Sequence, residues 1–246
     1  MKSYKLLYAN GCSFTNHAPQ EQSEKWPENL AKNLDIPEYI NDGQGAGSNQ
    51  GIFKRTAKFL SETKVSVSDI LAVIQLTYPF RFEMPSPNHI SGWQTYITMG
   101  VHQKDIYKEK GITNAKYYQA RLEAFAEHES YEAWEFYMQA SAISNLLVNS
   151  GVDNYFLNLQ CPEPWVTQPV SGNNRGNLTG PLEFDNSFVN WMFDSPLHSN
   201  MNRLVSQIGM PKKSYTISNT DSHFNKEANI RLSNLMATQI KLKEQT

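Results

Sequence analysis

The run Ile70-Leu71-Ala72-Val73-Ile74 decides the fold. It is apolar without interruption, so neither side of it is suited to water, the pattern of a strand covered on both faces. Upstream, Ile52, Thr56, Phe59 and Leu60 share one side of a helix whose other side carries Lys54, Arg55 and Lys58. Before that helix, Pro37 to Ile40 reads as a short strand, ended by Asn41-Asp42-Gly43-Gln44-Gly45-Ala46-Gly47-Ser48-Asn49. Residues 26–34 read as a further helix, with Pro27 in its first turn and Trp26, Leu30 and Leu34 on one face. At the start, Tyr4 to Ala9 reads as a buried strand stopped by Asn10-Gly11.

Downstream of the central run the periodicity disappears over 82–115, where Pro85, Pro87, Gly92, Gly100 and Gly111 interrupt it. Such an excursion is a functional lid or a mobile insertion. Residues 116–149 regain helical character with a break near Glu129-Ser130, and Asp153 to Leu159 reads as the next strand. Residues 161–213 are again irregular, with short helices expected near 186–193 and 198–208. Asn225 to Lys243 is an amphipathic helix offering Ile230, Leu232, Leu235, Met236 and Ile240 for burial. Strands alternating with helices around a doubly covered run imply a parallel sheet wrapped by helices, a three-layer α/β/α sandwich. No repeat or linker splits the chain, so residues 1–246 are expected to form a single α/β domain with irregular insertions near 82–115 and 161–213.

The bulk properties narrow the function. A formal charge of −2 gives no field to attract nucleic acid or an anionic membrane. The only cysteines, Cys12 and Cys161, are too few for a disulfide scaffold and read as free thiols in a reducing compartment. The apolar run Leu6-Leu7-Tyr8-Ala9 is shorter than the roughly seven residues of a secretory core. No stretch approaches the roughly 18 apolar residues of a spanning helix. The expectation is a soluble cytoplasmic protein.

Three stretches carry chemistry. Gly11-Cys12-Ser13-Phe14-Thr15 follows a buried strand, so Ser13 stands at the carboxyl edge of the sheet, where open α/β sheets bind ligands. The bland reading is a serine that caps a helix. Thr220-Asp221-Ser222-His223-Phe224-Asn225 precedes the last helix, and Asp221 is spaced to fix the tautomer of His223. The glycine-rich turn from Gly43 to Asn49 suits backbone N–H groups presented to a reacting oxygen, or simply a strand-to-helix turn capped by Ser48 or Asn49. It lacks the Gly-Lys-Ser/Thr ending of a phosphate loop. Cys12 is a rival nucleophile, but adjacent residues of an extended segment point apart, so Ser13 is preferred and Cys12 is assigned to packing. His17, His89, His102, His128 and His198 show no paired metal-ligand spacing, so no metal site is expected. Trp93, Tyr96, Trp165 and Trp191 suit either a carbohydrate or acyl pocket or the anchoring of long loops.

Taken in order, these stretches resemble the SGNH (GDSL-like) hydrolase family. Gly11-Cys12-Ser13 corresponds to the family's Gly-Asp-Ser element with Cys12 in place of Asp, Asn41 to Asn49 to its glycine turn, and Asp221 with His223 to its last block. Gly11-Cys12-Ser13-Phe14-Thr15 with Trp26-Pro27 and Gly47-Ser48-Asn49 also resembles a branch found in phage and bacterial genomes, which would place a phage-encoded chain in the host cytoplasm or virion. The resemblance implies the flavodoxin-like SGNH fold, with Ser13 as nucleophile, His223 as base and Asp221 as its orienting carboxylate. The Ser13 and Gly47 backbone N–H groups would form the oxyanion hole, with Gly45 as the alternative to Gly47. The family's Gly-x-Asn-Asp element is missing: Leu76-Thr77-Tyr78-Pro79-Phe80-Arg81 contains no Asn, leaving Thr77 or Arg81 as the third donor. Loss of one such donor costs about 3 kcal/mol of transition-state stabilisation.

The implied activity is a serine esterase or acyl hydrolase, or an O-acyl transferase, on a small-molecule or glycan ester such as an O-acetyl group. No cofactor is expected, because the nucleophile is a side chain. The rival expectation is a binding or virion-associated module that keeps the fold without turnover.

Overall fold

The computed structural model describes residues 2–16, 21–45, 47–77, 81, 129–158, 209–210, 214, 216–218 and 223–244. Among the described residues four strands form a sheet: β1 (Leu6–Asn10), β2 (Glu38–Asn41), β3 (Ile70–Leu76) and β4 (Asp153–Asn158). They lie side by side in the order β2-β1-β3-β4, and every pairing is parallel. Leu6 stands opposite Ile70 and Ala9 opposite Val73, so the two most apolar strands are the central pair.

The alternation of side chains along a strand explains why those two needed no polar face. Leu7, Ala9, Leu71 and Val73 point to one side, with Leu157 of β4. There they meet Trp26 and Leu30 of α1 (Trp26–Asn33) and Leu232, Met236 and Ile240 of α4 (Lys226–Lys243). Leu6, Tyr8, Ile70, Ala72 and Ile74 point to the other side with Phe156. That side is covered by Ile52 of α2 (Asn49–Glu62) and by Phe136, Ala140, Ile143 and Leu147 of α3 (Glu129–Asn149). The result is the expected three-layer α/β/α sandwich. Strand β2 is an edge strand of alternating exposed and half-buried residues.

Local signals fix the helix ends. Pro27 occupies the first turn of α1, where a missing N–H costs no helical bond. The helix closes with Asp35 in the left-handed region at φ 55°, Ile36 N–H donating to Ala31 O at 2.9 Å and Asp35 N–H to Lys32 O at 3.2 Å. Ser48 Oγ caps α2 by accepting from Gly51 N–H at 3.0 Å, and Asn225 Oδ1 caps α4 by accepting from Ala228 N–H at 2.9 Å. Helices α1 and α4 are further tied by Asn33 Nδ2 to Ser233 Oγ at 3.3 Å and Lys241 Nζ to Asn33 O at 2.8 Å.

Several boundaries differ from the sequence reading. Strand β1 starts at Leu6 and includes Asn10, β2 is shifted to Glu38–Asn41, and β3 runs on to Leu76, taking Gln75 into the interior. Ile230 is half-buried instead of in the core, while Ala228, Asn229 and Ser233 are buried beside Leu232. Arg55, read as outward with Lys54 and Lys58, instead folds back onto the end of β1. The expected helix over 116–128, residue 159, the segment 82–115 and nearly all of 161–213 lie outside the described residues, as does Asp221. No described helix is long and apolar enough to cross a membrane.

The chain passes from β1 outward to β2, then returns across β1 to build β3 and β4 on the other side. In open parallel sheets a reversal of this kind leaves a crevice beyond the carboxyl ends of the two central strands. Ser13 follows one of those ends.

Candidate active site

The turn after β1 is held from beneath. Asn10 is buried; its Oδ1 accepts from Gly11 N–H at 2.8 Å, and its Nδ2 contacts Tyr8 Oη at 2.9 Å, Ile52 O at 3.0 Å and Thr56 Oγ1 at 3.0 Å. Gly11 has no room for a side chain: a Cβ there would lie 2.2 Å from Thr15 Oγ1 and 2.8 Å from Gln75 Oε1. The chain then reverses, with Thr15 N–H and Asn16 N–H both donating to Cys12 O at 3.0 and 3.2 Å.

Within that turn Cys12 and Ser13 part company. Cys12 is wholly buried, and both its N–H (3.0 Å) and its Sγ (3.1 Å) donate to Gln75 Oε1, which also accepts from Thr15 Oγ1 at 3.3 Å. Gln75 Nε2 donates in turn to Leu76 O. Ser13 Oγ faces the other way and lies 2.7 Å from His223 Nε2. The serine is 7% exposed and His223 is half-buried, so the bond is partly shielded from water.

His223 is delivered by the segment that enters α4. Its carbonyl accepts from Ile217 N–H at 2.9 Å, Phe224 forms an antiparallel bridge with Thr216, and Asn225 Nδ2 donates to Ser214 O at 2.7 Å. The Phe14 ring packs beside the imidazole with centroids 4.8 Å apart and meets Phe224 edge-on at 5.4 Å. With Nε2 facing the serine, Nδ1 is the ring atom left for an orienting group.

The glycine loop is stitched to the serine turn. Asn16 Nδ2 donates to Gly43 O at 2.9 Å, Asn41 Nδ2 to Thr15 O at 3.1 Å, and Gln44 N–H to Gly11 O at 3.0 Å. Gly43 is obligatory for the same steric reason as Gly11, since a Cβ there would meet Thr15 Cβ at 2.8 Å. The Gly47 N–H, expected to face a reacting oxygen, donates to Gln44 O at 2.9 Å and closes the loop. Gly45 lies at an open point, where an added Cβ would meet nothing within 4 Å.

At the end of β3, Thr77 N–H donates to Asn49 Oδ1 at 2.8 Å and Asn49 Nδ2 to Thr77 O at 3.0 Å, so the start of α2 and the end of β3 are locked by one buried carboxamide. The two candidate third donors meet each other, Arg81 Nη1 donating to Thr77 Oγ1 at 2.9 Å. Lys25 is almost wholly buried, with Nζ donating to Asn16 Oδ1 at 2.6 Å, and burial lowers its pKa from the ordinary lysine value. Among the described residues no group of three His, Cys, Asp or Glu is placed to hold a metal ion.

The structure therefore brings Ser13 and His223 together, turns Cys12 away and commits the Gly47 amide elsewhere; Asp221 lies outside the described residues. Sequence reasoning missed Asn10, Gln75, Asn49 and Arg55. The available signal was a polar residue at the carboxyl end of an otherwise apolar run, which Asn10 and Gln75 both are. An imidazole nitrogen at 2.7 Å from a hydroxyl is within reach of proton transfer, the arrangement needed to activate a serine.

Comparison with known proteins agrees with this fold. TesA superposes with a TM-score of 0.50 at 14% identity, covering 96% of this chain and 98% of its own. The psychrotrophic esterase EstA from Pseudoalteromonas sp. gives 0.48 at 16% identity, covering 98% and 100%. A member of the lipolytic protein G-D-S-L family from Veillonella parvula DSM 2008 gives 0.43 at 10%, covering 97% and 98%. At these identities the likeness is one of fold, and the three-layer α/β/α sandwich expected from the sequence is the one observed. No curated protein matches the chain in sequence. A family model, described as a family of unknown function (DUF6071), matches residues 16–172, which begin just after Ser13 and end before His223. With more than half of its length so matched, the chain belongs to that family of unknown function.

Proposed function

We propose that this protein is a serine esterase or acyl hydrolase, with O-acyl transfer as the variant in which an alcohol replaces water. Its substrate is a small-molecule or glycan ester, such as an O-acetyl group. One observation carries the reading: the Ser13 hydroxyl and the His223 imidazole meet at 2.7 Å beyond the carboxyl end of β1. Ser13 Oγ attacks the acyl carbon while its proton passes to His223 Nε2. Collapse of the tetrahedral species expels the alcohol, which takes that proton. A water deprotonated by the same nitrogen then releases the acid and restores Ser13. Asp221 is assigned to His223 Nδ1, holding the tautomer and the imidazolium.

The oxyanion is assigned to the Ser13 and Gly45 amides. Among the described residues neither donates to an acceptor, whereas the Gly47 amide is engaged by Gln44 O. A nucleophile supplied by a side chain calls for no metal or organic cofactor.

The test is phosphonylation by a fluorophosphonate probe, with hydrolysis of a short-chain nitrophenyl ester as the companion assay. Wild type is expected to label at Ser13 and turn over the ester; Ser13→Ala is expected to do neither. An unlabelled Ser13 in folded wild-type protein refutes the reading. A second reading, a binding module without turnover, is favoured by the lack of an Asn in Leu76 to Arg81, and that same result would support it.

A further inference from the structure

We propose that Arg55 is a positioning residue that sets the glycine loop against the serine turn, and through that spacing governs oxyanion stabilisation; this rests on the hydrolase reading above. Arg55 Nη2 donates to Asn10 Oδ1 and to Gly11 O, both at 3.1 Å, which places it on the nucleophile side. Its Nε donates to Asp42 O at 3.0 Å and its Nη1 to Gln44 Oε1 at 2.8 Å, which places it on the glycine-loop side. One planar, always-charged group thus holds two backbone carbonyls and two side-chain carboxamides belonging to both loops.

The surroundings leave it little freedom. The Gly11 carbonyl that accepts from Arg55 also accepts from Gln44 N–H at 3.0 Å, so the two loops share one acceptor. Asn10, the other anchor, is buried and bound through its Nδ2 to Tyr8, Ile52 and Thr56. Tyr8 Oη in turn donates to Asp42 Oδ2 at 3.0 Å, closing a ring from β1 to the glycine loop and back through the guanidinium. A Cβ at Gly47 would lie 3.0 Å from Gln44 O, with Arg55 Nη2 and Gly11 O at 3.4 Å, so the tight approach that glycine allows is to the loop's own backbone beside the bridge. Ser13 is two residues from Gly11, and Gly45 adjoins Gln44. A change in the bridge therefore reaches the two assigned amides first and leaves the imidazole, on the opposite flank, in place.

Arg55→Lys separates geometry from charge, because an ammonium keeps the charge but cannot span the same four acceptors in one plane. In purified full-length protein, with a short-chain nitrophenyl ester, kcat is expected to fall about 10- to 100-fold with KM within about twofold. The fluorophosphonate labelling rate should fall in step, because the phosphonyl oxygen uses the same donors. The acidic limb of the pH–rate profile should not move. Gln44→Ala is the companion variant, since Gln44 is exposed and only its bond to Arg55 Nη1 is lost; its kcat is expected to fall by about 3- to 10-fold.

Folded variants with wild-type kcat and labelling rate overturn the proposal, and Gln44→Ala decides it alone if Arg55→Lys does not fold. A shifted acidic limb with an unchanged alkaline plateau also overturns it, since that places Arg55 on the imidazole and not on the oxyanion. Failure of wild-type Ser13 to label removes the hydrolase reading and this role together, whereas labelling with no effect of either variant removes this role alone.

Discussion

Substituting Gly11 by alanine pushes directly on the turn that presents Ser13. The added Cβ would sit 2.2 Å from Thr15 Oγ1 and 2.8 Å from both Cβ and Oε1 of Gln75. Non-bonded contacts are comfortable only from about 3.5 Å, so relief of roughly 1 Å is needed. Neither neighbour is free to supply it: Gln75 lies inside β3, and Thr15 Oγ1 is hydrogen-bonded to Gln75. Overpacking of this kind costs about 1–3 kcal/mol. For a chain of 246 residues that lowers Tm by about 2–4 °C per kcal/mol. A displacement near 1 Å at a nucleophile costs on the order of 100-fold in rate. Scanning calorimetry and fluorophosphonate labelling read the two effects separately. Thr15→Ala removes the closest atom, so the Gly11→Ala/Thr15→Ala pair should recover part of the stability, with a coupling of at least about 0.5 kcal/mol. A Gly11→Ala protein that melts and labels like wild type would refute the steric argument, and strictly additive effects would show that Thr15 is not what the Cβ strikes.

Three further substitutions follow from the same geometry. Cys12→Ala should keep ester hydrolysis within a few-fold, and a thiol reagent should modify Cys12 only on unfolding, because the sulfur is wholly buried against Gln75; loss of activity like that of Ser13→Ala would reverse the assignment. Asp35→Gly should raise the denaturation midpoint by the equivalent of about 0.5–1 kcal/mol with m unchanged, since Asp35 holds φ 55° at the end of α1; a lower midpoint would mean its side chain matters more than its backbone. Burial lowers the Lys25 pKa, so between its folded value and the ordinary lysine value the unfolded chain binds more protons. Stability should therefore rise with pH across that window, reach its full value above the ordinary lysine pKa, and be lost as pH falls through the folded value. Lys25→Met should flatten this segment of the stability–pH curve, and an unchanged slope would point to another group.

What the sequence made legible was whatever a single segment decides. The apolar runs of β1 and β3 read as buried strands, and the helix starts at Pro27 and at Ser48 or Asn49 carry their own local signals. Ser13 was legible because a turn after such a strand lands at the sheet's carboxyl edge, and His223 because it precedes a plain amphipathic helix. What escaped was decided between segments. Arg55 has helical periodicity that puts it with Lys54 and Lys58, yet carbonyls freed at the end of β1 and in the glycine loop draw its guanidinium back. Gly47 and Gly45 are equivalent as letters, and only the bond from Gly47 to Gln44 O tells them apart. Asn49 and Gln75 look like ordinary polar residues until their partners, Thr77 in one case and Cys12 in the other, are known.

The Ser13–His223 hydrogen bond joins residues 210 positions apart. During translation the hydroxyl would leave the ribosome well before the imidazole, with all the intervening residues made between them. Its arrival depends on α4 docking beside α1, where Lys241 reaches the Asn33 carbonyl. A nascent chain lacking that helix would carry Ser13 without its imidazole partner, so the pair would form only after α4 had emerged and docked.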